Sequence, residues 1–144
     1  METQTMGRVL AEATIENLKD LWAVEEGLRT ADKVRRLVVP GALADTGATL
    51  LSMPTSLIRQ LGLAQTGTKR VASSIGPAQA AVYGPVRLTI MGRDCTEDVL
   101  EVPDGVPVLI GQLPLEHLDL VVNPCNHTLM GNPAHGGEHV YELY

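Results

Sequence analysis

The residues best able to do chemistry in this chain are Asp45-Thr46-Gly47-Ala48-Thr49. They follow directly on the apolar run Leu37-Val38-Val39-Pro40-Gly41-Ala42-Leu43-Ala44. The run reads as a buried strand, so the Asp45 carboxylate arrives at a strand end, on rigid support. A carboxylate held there takes or gives a proton. Two of them facing one water can activate the water and polarise an amide together. Like charges about 3 Å apart do not both ionise cheaply, so such a pair shares one proton. The other aspartates, Asp20, Asp32, Asp94, Asp98, Asp104 and Asp119, read as turn, strand-end or exposed-face residues. A second acid equivalent to Asp45 must then come from a second copy of the chain.

Other constellations are weaker. His135-Gly136-Gly137-Glu138-His139 fits the spacing of an inverted zinc-protease motif, which needs a helix to put both imidazoles on one face. Pro133 precedes it and two glycines lie inside it, each costing about 1 kcal/mol in a helix, so turn structure is expected instead. Cys125-Asn126-His127 after Pro124 reads as a loop with a stray thiol. No glycine-rich phosphate cradle occurs. Met53, Met91 and Met130 read as core filler, and Trp22 as a packing residue.

Apolar residues, then Asp-Thr-Gly, then Ala, resemble the signature of aspartic proteases. A single such motif in 144 residues resembles the retroviral-type, retropepsin-like branch, whose members build one active site from two identical subunits. The resemblance covers roughly residues 8–122 of a single domain spanning 1–144, with a C-terminal tail at about 123–144. It implies an all-β, mostly antiparallel acid-protease barrel with one or two short helices and an active site at a two-fold dimer interface. It further implies an aspartic endopeptidase that acts as a homodimer on peptide or protein substrates, without cofactor or metal. Asp45 would be catalytic. Thr46 would hydrogen-bond across the dimer axis, and Gly47 would let backbone approach the carboxylate. Ala48 matches the retroviral variant and lacks the hydroxyl of Ser or Thr. One donor fewer to the charged form predicts an optimum in mild acid to neutral solution.

The turn Ser74-Ile75-Gly76-Pro77-Ala78 resembles the tip of a protease flap, with Ser74, Ile75 and Gly76 over the substrate. Leu109-Ile110-Gly111 matches the two apolar residues and glycine that pack beneath the catalytic loop in that family. The flap tip is not glycine-rich like the viral one, and the tail departs from the viral dimer sheet. An alternative therefore stands beside the enzyme: a protease-fold module for peptide binding or dimerisation, with little or no turnover.

The elements that must position these residues are mostly strands. Aromatics make up 3% of the chain and Phe is absent, so the core falls to Leu, Val, Ile and Ala, which favour sheet. Fourteen Gly and nine Pro punctuate many short segments. Residues 8–18 alternate with period two and predict a strand, and 21–27 a second strand closing a hairpin. The segment 52–63 predicts a helix capped by Ser52 and left at Gly62, the one firm helix of the first two-thirds. Strands are expected over 69–73, 79–83, 86–90, 95–102 and 118–122. A last hairpin is expected to pair 128–130 with 140–143. Val102-Pro103-Asp104-Gly105 before the run 106–111 echoes Val39-Pro40-Gly41 before the Asp45 loop, and a leucine-bearing segment follows each.

The formal charge of −6, from 11 Lys+Arg against 17 Asp+Glu, leaves no basic stripe for nucleic acid. Arg35-Arg36 and Lys69-Arg70 read as isolated pairs at solvated strand ends. No apolar run reaches the ~20 residues of a membrane helix, and Met1–Arg8 shows no secretory leader. With only Cys95 and Cys125, free thiols and a cytoplasmic location are expected.

Overall fold

A computed structural model describes residues 8–73 and 75–143. Residues 1–7, read above as free of a secretory leader, lie outside the described residues. The chain runs β1 (Val9–Asn17), α1 (Leu18–Glu25), β2 (Arg36–Ala44), β3 (Leu51–Pro54), α2 (Thr55–Gln60) and β4 (Ala64–Ser73). It continues with β5 (Gly76–Ile90), β6 (Arg93–Val102), β7 (Leu109–Ile110), α3 (Gln112–His117), β8 (Leu120–Asn123) and β9 (Thr128–Gly131).

Six strands close a barrel in the order β1-β2-β7-β3-β6-β5, because β5 returns to pair with β1; β4 is added outside, on β5. Most pairings are antiparallel, with β2–β7 and β3–β6 the parallel ones. Closure depends on alternation. Along β5, Val82, Val86, Leu88 and Ile90 point inward on every second residue, and Ala13 and Ile15 do the same along β1. They meet Leu51, Met53, Val99 and Ile110, all fully buried, in a core of aliphatic side chains and methionine. Each such side chain contributes about 1.5–3 kcal/mol through its removal from water. Among the described residues no helix is long and apolar enough to cross a membrane.

Several expectations change. Residues 21–27 are not a strand: α1 occupies Leu18–Glu25, so α2 is not the one firm helix of this part of the chain. Asn17, the last residue of β1, caps α1 by accepting from the Asp20 N–H at 3.1 Å. Asp20 is buried, contrary to its reading as a turn residue, and its carboxylate binds the guanidiniums of Arg29 and Arg35. That pairing holds α1 against the start of β2 and removes Arg35 from the merely solvated. The Arg35 hydrogen bonds hold the Asp20 carboxyl at about 2, against an ordinary 3.8. Trp22 stands 46% exposed on α1, and Met91 is exposed in the β5–β6 turn; neither fills the core.

Ser52 lies buried in β3 and caps nothing. The helix predicted over 52–63 shrinks to Thr55–Gln60, and the Asp104 carboxylate accepts the N–H of Ser56 at its first turn. β2 is only half buried, with Val38 exposed, so the strand leading to Asp45 has one wet face. β4 and β5 pair from Ala64↔Gly84 to Ser73↔Gly76, with one register shift between Gln65 and Gly67, making one long hairpin rather than short strands around a five-residue turn. The last hairpin joins β8 to β9, Leu120↔Gly131 through Asn123↔Thr128, while residues 140–143 form no strand. Asp119 explains the tail. It is buried, and it accepts from the His135 ring at 2.6 Å, from Asn132 Nδ2 at 3.2 Å and from the Val140 N–H at 3.1 Å. These bonds fold residues 132–140 back through a short 3₁₀ helix at Pro133–His135 and the turns after it, so the 135–139 motif lies on no α-helix.

Candidate active site

β2 runs straight into the Asp45 loop. The chain turns through 46–50 and leaves along β3, and β7 inserts between β2 and β3, hydrogen-bonded to both. The loop is therefore gripped from below by main chain. Asp45 N–H donates to the Ile110 carbonyl at 2.9 Å and Leu43 N–H to Val108 at 2.8 Å. In return, the N–H groups of Gly111, Gln112 and Leu113 donate to the carbonyls of Leu50, Ala48 and Thr49 at 3.1, 2.8 and 2.9 Å. Leu109, Ile110 and Gly111, singled out by the family resemblance, lie beneath the Asp45 loop.

Glycine at 111 is a steric requirement. A Cβ there would stand 2.5 Å from the Leu50 carbonyl oxygen and 2.8 Å from that of Ala48. Within the loop, Asp45 Oδ1 accepts the Gly47 N–H at 2.9 Å, and a Cβ on Gly47 would come within 3.2 Å of the same oxygen. Asp45 and Ala48 are half-buried, and Thr46 and Gly47 open to solvent. Asp32, Asp94, Asp98 and Asp104 are exposed on other elements, while Asp20 and Asp119 are committed elsewhere in the fold. One chain thus supplies one such acid.

The β4–β5 hairpin extends beyond the barrel. Its tip is closed by Ser73 Oγ donating to the Gly76 carbonyl at 2.7 Å; Gly76 takes φ of +118°, open to glycine, and Ile75 is 96% exposed. Ser74 lies outside the described residues. Between the hairpin and the Asp45 loop runs a cleft of about 580 Å³, within the usual range for binding sites. Gly47, Ala48, Thr49 and Leu50 form one wall, Lys69 to Ala72 of β4 the other, with Leu100 and Leu113 as apolar floor. Lys69 and Arg70 therefore border this cleft, which their reading as a solvated pair did not foresee. A larger depression of about 680 Å³, lined by residues 27–30, Lys33 and Arg35, carries basic groups, but Arg29 and Arg35 already bind Asp20.

A second cluster escaped the sequence reading. Cys95 and Glu97 alternate onto the same face of β6, and His117 ends α3 beside them. Glu97 is only 5% exposed. Burial, with Glu97 alongside, pushes the Cys95 thiol above its ordinary range. Cys125 is exposed in the β8–β9 turn. A buried glutamate in the alternation of β6 was the available signal. No protein-family model matches the chain, and no curated protein matches it either.

Proposed function

We propose that this chain is a retropepsin-like aspartic endopeptidase, working as a homodimer that brings two Asp45 carboxylates together on a two-fold axis. The observation that carries the reading is the main-chain cradle. An Asp-Thr-Gly-Ala loop at the end of β2 is held from beneath by Leu109–Gly111 and opens on a cleft roofed by the β4–β5 hairpin. Thr46 is exposed in the single chain, as a residue reserved for a symmetry mate would be.

In this reading the dyad holds one proton and one water. The ionised carboxylate takes a proton from the water as its oxygen attacks the peptide carbonyl carbon. The protonated partner gives its proton to the carbonyl oxygen, leaving a tetrahedral diol. Collapse breaks the C–N bond as the amide nitrogen gains a proton from one carboxyl and the other carboxylate takes one from a diol hydroxyl, so acid and amine leave and the dyad again holds one proton. The two apparent pKa values belong to the pair. An extended peptide would lie along the hairpin with strand-like main-chain bonds, its apolar side chains over Leu100 and Leu113. The free thiols Cys95 and Cys125 support a cytoplasmic setting.

Cleavage of a peptide library from about pH 3 to pH 8, beside Asp45→Asn and a solution mass, tests the proposal. The variant is expected to lose roughly 10³-fold or more. Cleavage that survives Asp45→Asn, or that comes from a strict monomer, overturns it. Silence in both proteins turns the reading to a binding module.

A further inference from the structure

We propose that Cys95, Glu97 and His117 form a site for a thiophilic divalent cation, with Zn²⁺ the first choice, independent of Asp45. Their ligand atoms lie within 4.8 Å of one another. Cys95 Sγ is 3.2 Å from Glu97 Oε2, and His117 Nδ1 is 2.5 Å from the same oxygen. Zinc bonds of about 2.3 Å to sulfur and 2.0–2.2 Å to nitrogen or oxygen put tetrahedral ligands roughly 3.3–3.6 Å apart. The Glu97–His117 pair reaches that separation if His117 Nδ1 withdraws by roughly 0.8 Å, and the Cys95–His117 separation, at most 4.8 Å, must settle at about 3.6 Å. The His117 side chain is 48% exposed at the end of α3 and has room to move.

Charge points the same way. Glu97 faces inward on β6, and the basic side chain within salt-bridge reach among the described residues is the His117 imidazole. A buried carboxylate is costly unless paired, and a cation held between three different donors pairs it fully. Thiolate, imidazole and carboxylate together favour zinc over magnesium or calcium. Binding replaces the Cys95 S–H proton with the ion, and His117 offers Nδ1 as a neutral imidazole whose ring proton sits on Nε2. The thiol proton passes to water and no electrons move. With three protein ligands, a water would take the fourth position of the tetrahedron.

The tail secures one ligand from behind. His139 Nε2 at 3.0 Å and the Tyr141 hydroxyl both meet the His117 carbonyl oxygen. An ion here ties the barrel wall at β6 to the end of α3, whose first residues grip the Asp45 loop.

The test uses the full chain after chelator treatment, with Co²⁺ as spectroscopic probe and Zn²⁺ as competitor. Wild type is expected to bind one Co²⁺ per chain, to show thiolate-to-cobalt charge transfer, to release Co²⁺ to Zn²⁺ and to gain thermal stability with either ion. Cys95→Ser should lose the charge-transfer band and at least about 10-fold in affinity. Should Cys95→Ser not fold, His117→Asn at the half-exposed helix end tests the same prediction, with a loss of roughly 10- to 100-fold. Cys125→Ser should change nothing. No Co²⁺ binding by wild type overturns the site. So does an unchanged spectrum in Cys95→Ser, or thermal stabilisation by Zn²⁺ that is equal in wild type, Cys95→Ser and His117→Asn.

Discussion

Gly111→Ala tests the cradle beneath Asp45 without touching the acid. Gly111 has an ordinary φ of −82°, so alanine costs nothing in backbone conformation. The whole effect is steric and falls on main chain: the new Cβ meets the Leu50 oxygen at 2.5 Å, the Thr49 carbonyl carbon at 2.6 Å and the Ala48 oxygen at 2.8 Å. Restoring an ordinary contact of 3.4 Å to the first requires about 0.9 Å of displacement, which is 3.4 less 2.5. Main chain tied on both sides cannot yield that cheaply. Overpacking of this kind costs about 1–3 kcal/mol. In a domain of this size that lowers the melting temperature by roughly 3–12 °C. The atoms that move belong to the loop presenting Asp45, and misplacement of reacting groups by ~1 Å costs about 10²-fold in rate. Peptidase activity should therefore fall further than the fraction folded. Gly41→Ala on β2 is the control, since its Cβ meets nothing within 4 Å, and its stability should stay within about 0.5 kcal/mol. Urea unfolding and thermal melts read both variants. A Gly111→Ala protein as stable as wild type, or less affected than Gly41→Ala, refutes the packing argument.

Asp20→Asn should lower stability by about 2 kcal/mol at neutral pH. The carboxyl sits at about 2 in the fold against 3.8 outside it, and the half-open guanidiniums of Arg29 and Arg35 limit the effect. A depressed carboxyl stabilises fully above its unfolded value and loses that contribution as pH falls toward 2. Urea midpoints of wild type and variant should therefore converge in acid, and a gap that is constant with pH refutes the assignment. His135 lies between Glu142 and Asp119, which raise its pKa above the ordinary imidazole value of 6.5. A raised imidazole stabilises fully below its unfolded value, and the contribution fades as pH rises through the folded one. Hydrogen exchange at the Val140 amide, bound to Asp119, should then quicken above neutrality, faster than its intrinsic rate. His135→Gln should abolish that pH dependence, and protection that is flat with pH in wild type refutes it.

Local signals carried much of the fold. Period-two alternation marked β1, and the strands expected over 79–83, 86–90 and 95–102 fall within β5 and β6, although β5 runs unbroken through 84–85. The failures came where local signals tie and distant partners decide. Leu21-Trp22-Ala23-Val24 suits a strand as well as a helix. The Asn17 cap and the Arg29 and Arg35 guanidiniums on Asp20 settle it as α1, and Arg35 lies fifteen residues beyond Asp20. The tail failed for the same reason. Residues 140–143 have strand-like composition, but Asp119 takes the Val140 N–H that a ladder would need.

The two candidate sites show where pattern reading ends. Asp45 and Leu109-Ile110-Gly111 are far apart in sequence, yet each is a short contiguous motif whose shape follows from backbone: a strand end, and a glycine with no room for Cβ. Motifs of that kind are visible in a string of letters. Cys95, Glu97 and His117 form no motif, since the first two are joined by the pleat of β6 and the third arrives through the packing of α3. Only one trace of them is local. On a strand whose inward positions run Cys95, Glu97, Val99, a glutamate between two apolar neighbours must either be paired or destabilise the barrel. The alternation that identifies a strand thus also identifies its misfit. An inward carboxylate is a reason to search the rest of the chain for its counter-charge before the fold is known.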